Sequence, residues 1–176
     1  MSFDEIVVRG CGLEDVSTLA LVGAATFLEA YAGLLEGEAI LAHCRDNHSE
    51  AAYQRYLAQP GCRTWIAEAA KGSAPVGYVM LTRPELPLDD LAKEDVELKR
   101  IYLFSRLHGG GRGQRLMDQA ILGAREQKAR RLLLGVHREN ARALSFYRRN
   151  GFVQVGVRTF RLGQSVYDDL VLGRAL

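Results

Sequence analysis

Apolar runs of strand length and longer stretches of helical periodicity succeed one another along this chain. Ile6 to Arg9 reads as a short strand, and Glu14 to Tyr31 carries Val16, Leu19, Ala20, Gly23, Phe27, Ala30 and Tyr31 at helical spacing. A second helical region is broken, with Gly37 to Cys44 and Ser49 to Gln59 on either side of Arg45-Asp46-Asn47-His48, and it stops at Pro60-Gly61. Arg63 to Ala69 and Val76 to Thr82 read as strands joined in hairpin fashion by Lys71-Gly72-Ser73-Ala74-Pro75. A loop rich in Pro and Asp leads to a fourth strand, about Val96 to Leu103.

The second half is more regular. A helix is expected over Gly111 to Lys128, a strand over Arg131 to Val136, a helix over Ala141 to Asn150 and a strand over Phe152 to Phe160. A turn at Gly163-Gln164 then leads into a last strand over Val166 to Leu172. Leu116, Met117, Ala120, Ile121 and Ala124 form an apolar stripe that packs the central helix on the sheet. Strand, crossover helix and strand in succession imply a parallel pair with a right-handed connection, which puts the loop after the fourth strand at a strand's carboxyl end. The fold class is therefore α/β (α+β).

Composition narrows this only a little. At 176 residues, 48% hydrophobic and 25% charged, the chain suits one domain over residues 1–176 with a sizeable core. The net charge of +2 comes from dispersed arginines, which gives no support to a nucleic-acid or membrane-surface partner. Cys11, Cys44 and Cys62 show no Cys-x-x-Cys spacing, and no signal-like or membrane-length apolar run is present. A reduced, cytoplasmic protein is expected.

The chemistry begins at His108-Gly109-Gly110-Gly111-Arg112-Gly113, directly ahead of the central helix. Glycines admit an anion close to the backbone, successive amides form a nest, and the helix behind adds its positive end. That pattern predicts a phosphorylated cofactor. It is not a P-loop, because Gly113 is followed by Gln114 and Arg115 where Lys and Ser or Thr are needed. A dinucleotide fingerprint fails too, since its last glycine falls on Gln114 or Leu116.

One strand further on comes Asn140-Ala141-Arg142-Ala143-Leu144-Ser145-Phe146-Tyr147-Arg148-Arg149-Asn150-Gly151-Phe152. Together with the glycine run it resembles the Gcn5-related N-acetyltransferase (GNAT) superfamily, and the closing Tyr167-Asp168-Asp169-Leu170-Val171-Leu172 is similar to its bacterial small-amine and polyamine members. His108 and Arg112 depart from the usual Gln or Arg and aliphatic residues. A cradle working through backbone amides tolerates both.

The resemblance implies the acyl-CoA N-acyltransferase fold, a mixed, mostly antiparallel seven-stranded sheet with helices on both faces. It implies acetyl-coenzyme A as cosubstrate, held by His108, Gly109, Gly110, Gly111, Arg112, Gly113 and Gln114, by the fourth-strand backbone at Ile101, Tyr102 and Leu103, and by Asn140 and Tyr147. Tyr147 matches the residue that relatives use as general acid toward the leaving thiolate. On local grounds alone Asn140 is equally a helix N-cap, and Tyr147 equally a core aromatic packed by Phe152. A homodimer is left open.

The acceptor sets a further requirement. An alkyl ammonium is neutral to only about 1 part in 2,000 at pH 7, which adds on the order of 4–5 kcal/mol to nucleophilic attack. Glu97, on the fourth strand, matches the family's strand-borne base acting through water; read alone it is equally a solvent-facing glutamate. Other relatives take the base from the fifth strand, where this chain has Gly135, and His137 is a second, weaker candidate. The acceptor groove is expected from Phe27, Tyr31, Tyr167 and the loop Arg83 to Asp95, whose Glu85, Asp89, Asp90, Glu94 and Asp95 form either an acidic rim or a plain solvated surface. His43 and His48 do not share a helix face, and no metal site is expected. A small-molecule amine ranks first as acceptor. A protein lysine or N-terminus ranks second, and a silent acyl-coenzyme A sensor is the reading from another class.

Overall fold

The computed structural model describes residues 5–162 and 165–176. Its strands are β1 (Ile6–Cys11), β2 (Arg63–Ala69), β3 (Pro75–Thr82), β4 (Asp95–Leu103), β5 (Arg131–His137), β6 (Val153–Leu162) and β7 (Ser165–Ala175). They form one seven-stranded sheet in the order β1-β2-β3-β4-β5-β7-β6. Every neighbouring pair is antiparallel except β4 with β5. That exception follows from the crossover between them through α4 (Arg112–Glu126), which returns the chain to the same end of the sheet.

Helices cover both faces. On one, α4 buries Leu116, Met117, Ala120, Ile121 and Ala124 against Val79, Leu81, Val96, Leu98, Leu132 and Leu134, joined by Leu144 of α5 (Ala141–Arg149). On the other, α1 (Val16–Tyr31) lays Val16, Leu19 and Val22 on Ile66, Tyr78 and Met80, with α2 (Gly37–Asn47) and α3 (Glu50–Leu57) beside it. The helical break is narrower than the sequence predicts. α2 runs through to Asn47; His48 ends it with a ring buried against Phe27 and Tyr53, and Ser49 starts α3 by accepting the Ala52 amide at 3.2 Å. β6 and β7 exceed their predicted lengths because they pair with one another from Val153–Gly173 to Leu162–Ser165, and β7 continues to Ala175 against Arg131 of β5. The turn predicted at Gly163-Gln164 lies outside the described residues. Among the described residues, no helix is long and apolar enough to cross a membrane.

The feature that positions the site is a parting of the sheet. β4 and β5 pair only through Asp95–Arg131, Val96–Leu132 and Glu97–Leu133. Beyond that point β4 stays with β3 to Leu103 and β5 with β7 to His137, so residues 98–103 and 134–137 become the arms of a V. A bulge starts the divergence: Met80 faces Arg100 and Leu81 faces Leu98, leaving Lys99 as the extra residue that bends β4.

The closed end of the V is pinned electrostatically. Asp95, fully buried, takes Arg130 and Arg131 at 3.0 Å each and the Ala92 amide at 2.9 Å. Burial by itself would raise this carboxyl, but Arg130, then Arg131 and the Ala92 amide outweigh it and hold it at about 2. A depressed carboxyl stabilises the fold above its unfolded value near 4, and that contribution is lost as pH falls through about 2. Asp95→Asn is therefore expected to cost on the order of 2 kcal/mol at pH 7, discounted for the half-exposed Arg130, and to flatten stability between pH 4 and 2. Thermal melts across that range check it.

Candidate active site

At the open end of the V the chain leaves β4, makes one turn of 3-10 helix over Ser105–Leu107, and enters the glycine run. Gly109, Gly110 and Gly111 have φ of 90°, 57° and 77°, three consecutive left-handed residues that side-chain-bearing residues adopt only with strain. Gly111 is the N-cap of α4. Among the described residues, the amides of Gly110, Gly111, Gly113 and Gln114 have no protein acceptor, whereas Arg112 and Arg115 amides are taken by the carbonyls of Gly109 and Gly111. These free amides lie at the positive end of a fifteen-residue helix. A Cβ built on Gly109 or Gly111 meets nothing within 4 Å, so both open onto space a ligand can occupy.

Side chains brace the cradle from behind. His108 Nε2 donates to the Leu103 carbonyl at 2.7 Å, tying the loop to the end of β4. Arg112 folds back beneath the run toward the carbonyls of Leu107 and Gly109, and Gln114 Nε2 bridges Asp118 at 2.8 Å and Asn150 at 2.7 Å. Gln114 therefore offers a ligand its amide, since its side chain is committed to joining α4 and α5.

Tyr147 projects from α5, its ring set edge-on to Phe152 at 5.8 Å. Burial raises its phenol, and the second influence on it is Tyr31, which belongs to α1 on the opposite face of the sheet. Past their three shared pairs, β4 and β5 leave the sheet open between these two faces, at the V. Tyr31 sets its ring against Phe27, with centroids 4.5 Å apart. Phe27, Tyr31, Tyr102 and Tyr167 pack together there, which joins the predicted acceptor residues into one aromatic wall. Ile101 and Leu103 turn to the other face and pack in the main core. Their backbone stays on the V.

The sequence profile of the Acetyltransferase (GNAT) family matches residues 28–152. The chain belongs to this family. Uncharacterized N-acetyltransferases of Mycobacterium bovis and Mycobacterium tuberculosis are each 38% identical to it over 164 residues, covering 93% of this chain and 99% of theirs. The crystal structure of PaiA N-acetyltransferase from Thermoplasma acidophilum with coenzyme A shares its fold with a TM-score of 0.78 at 23% identity, over 98% of this chain and 99% of that one.

Within this GNAT fold the remaining predicted residues fall as follows. Glu97 is only 2% exposed on the acceptor face of β4; its Oε2 accepts the Glu85 amide at 2.8 Å, and its Oε1 lies 3.6 Å from Lys99 Nζ. Asn140 caps α5, its Oδ1 accepting the Ala143 amide at 3.0 Å. His137 accepts the Glu139 amide through Nδ1 and lies 5.5 Å from the Tyr167 ring. Several loop carboxylates are bound into ion pairs: Glu85 with Lys99, Asp90 with Arg131, and Asp95 with both Arg130 and Arg131. They tie the loop to β4 and β5, which removes much of the charge an acidic rim would present.

Three features escape sequence reasoning. Arg100 reaches the acceptor face beside the Lys99 bulge and lies against the rings of Tyr53 and Tyr56 at 5.3 and 5.0 Å. His43 and His48 both pack on Phe27, with ring centroids 5.5 Å apart; burial, then the charge of Arg100, pushes them down to about 4 and about 2, so both are neutral at pH 7. Over Gly135 lies the guanidinium of Arg158, where a Cβ would collide with it, so the strand position that carries a base in some relatives is here roofed by a cation. Each arises from contacts between distant segments and leaves no local pattern.

Proposed function

We propose that this GNAT acetyltransferase transfers the acetyl group of acetyl-coenzyme A to the primary amine of a small molecule, by direct attack in a ternary complex. The observation that carries the reading is the glycine cradle at the N-terminus of α4, set at the open end of the V beside the aromatic wall of Phe27, Tyr31, Tyr102 and Tyr167. The donor supplies an activated acetyl thioester. Residues 109–114 would take its pyrophosphate through free amides, and the open space at Gly109 and Gly111 fits that use. The β4 backbone at Ile101, Tyr102 and Leu103, released from pairing with β5, is free to hold the pantetheine arm and polarise the acetyl carbonyl.

Tyr147 donates to the departing sulfur. Glu97 receives the amine's proton through a water, and the Glu85 amide and Lys99 fix the position of its carboxylate. Phe27, Tyr31, Tyr102 and Tyr167 supply an apolar wall with hydroxyl groups for an alkyl amine. Every group named comes from one chain, which acts as a single unit over residues 1–176.

Turnover of acetyl-coenzyme A against putrescine, spermidine, benzylamine, lysine and an N-terminal peptide tests this. Thiol release with a small amine well above the rate with the peptide is expected. Release only with the peptide would move the acceptor to proteins, and coenzyme A binding without release would leave a sensor.

A further inference from the structure

Asp169 of β7 is only 4% exposed, and its two oxygens are treated unequally. Oδ2 accepts both Nε and Nη2 of Arg158, at 3.2 and 3.1 Å. Oδ1 is shut from solvent and has no hydrogen-bond partner among the described residues. Other carboxylates around the acceptor face differ: Glu97, Asp95, Asp90 and Glu85 are all taken up by a backbone amide, a lysine or an arginine. A buried carboxylate oxygen left without a donor is costly, and it calls for a donor from water or from a bound molecule.

Its surroundings say which donor. In register, Asp169 stands opposite His137 on β5 and Arg158 on β6, at the mouth of the V. His137, its partner across β5, lies 5.5 Å from the Tyr167 ring of the acceptor wall. The unpartnered oxygen thus belongs to a residue that borders that wall. Arg158 is held over Gly135 by Asp169 itself, so the pair is a fixed unit of the acceptor wall.

We propose that Asp169 Oδ1 receives the ammonium of the acceptor and orients its nitrogen toward the Tyr31–Tyr147 side of the V. The acceptor class is then a protonated primary amine, recognised by a charge-assisted hydrogen bond to a carboxylate whose other oxygen is locked. This rests on the acetyltransferase reading. Asp169 selects and positions the nitrogen, and Glu97 remains the group that takes its proton.

The test compares wild type with Asp169→Asn, which keeps the shape and an acceptor oxygen for Arg158. With spermidine as the probe, KM for the amine is expected to rise about 10-fold while KM for acetyl-coenzyme A stays within about twofold. A structural role would not alter charge preference, so butylamine and butan-1-ol are also compared as competitive inhibitors. Wild type should favour the amine by about 10-fold, and the variant should bind the two within about twofold. Calorimetric binding of coenzyme A shows that the variant is folded; if it is not, Asp169→Ser carries the same expectation. An unchanged amine-to-alcohol ratio in a folded variant overturns the assignment of Asp169 alone. Absence of turnover by wild type with any amine overturns the acetyltransferase reading, and the Asp169 assignment with it.

Discussion

Tyr147→Phe should lower kcat by 10- to 10³-fold while leaving the melting temperature nearly unchanged. The ring keeps its contacts with Phe146 and Phe152, and the hydroxyl makes no hydrogen bond to the described residues whose loss would cost stability. What is lost is a donor to charge that develops only as the thioester breaks; deleting one such donor typically costs about 10²–10³ in rate. A phenol near pKa 10 is already a weaker acid than a thiol near 8.5, by roughly 2 kcal/mol, and burial raises Tyr147 further. Its contribution is therefore a strong hydrogen bond to sulfur, short of full proton transfer. An acyl donor with a more acidic leaving thiol supplies an independent measurement, because the variant should regain more rate from it than wild type does. Activity that persists, or that falls only in step with stability, would return Tyr147 to the core.

Gly111→Val is expected to weaken coenzyme A binding by about 30-fold or more, roughly 2 kcal/mol, with a much smaller effect on the melt. Two penalties combine at this position. A β-branched residue at φ 77° is strained in any surroundings, and the three successive left-handed residues leave the amides of Gly110, Gly111, Gly113 and Gln114 free for an anion. Relieving that strain turns amides away from the pyrophosphate. The new side chain also projects into space that is open in the protein, so it harms the ligand's approach more than the protein's packing. Calorimetric titration with coenzyme A decides the matter, and unchanged affinity in a folded variant would remove the cradle from the mechanism.

Much of this was legible along the chain. The strand and helix order, the parallel β4–β5 pair and the helix N-terminus behind the glycines follow from periodicity and local turn chemistry, which are properties of neighbouring residues. Where element boundaries moved, contacts from elsewhere moved them: the His48 ring held by Phe27 and Tyr53 shortened the break after α2, and mutual pairing lengthened β6 and β7. The candidate site was legible to the same extent. Gly109 to Gln114 and Tyr147 stand in motifs of fixed spacing, because a backbone cradle and a helix face impose spacing.

The chemistry of individual carboxylates was not legible in that way. Glu97, Asp95, Asp90 and Asp169 are the same kind of group in the sequence. The fold gives the first to a backbone amide and Lys99, the next two to the arginines that open β5, and leaves one oxygen of the last without a partner among the described residues. Such differences depend on which distant side chain lies within about 3 Å, and a one-dimensional pattern does not encode that distance. The sequence by itself determined the family, the glycine run proposed as the donor's cradle and the order of elements, since each is written in local geometry. Only the tertiary structure decided where the sheet parts, which aromatic rings pack beside the gap and which carboxylates are tied into ion pairs, since each depends on residues far apart in the chain.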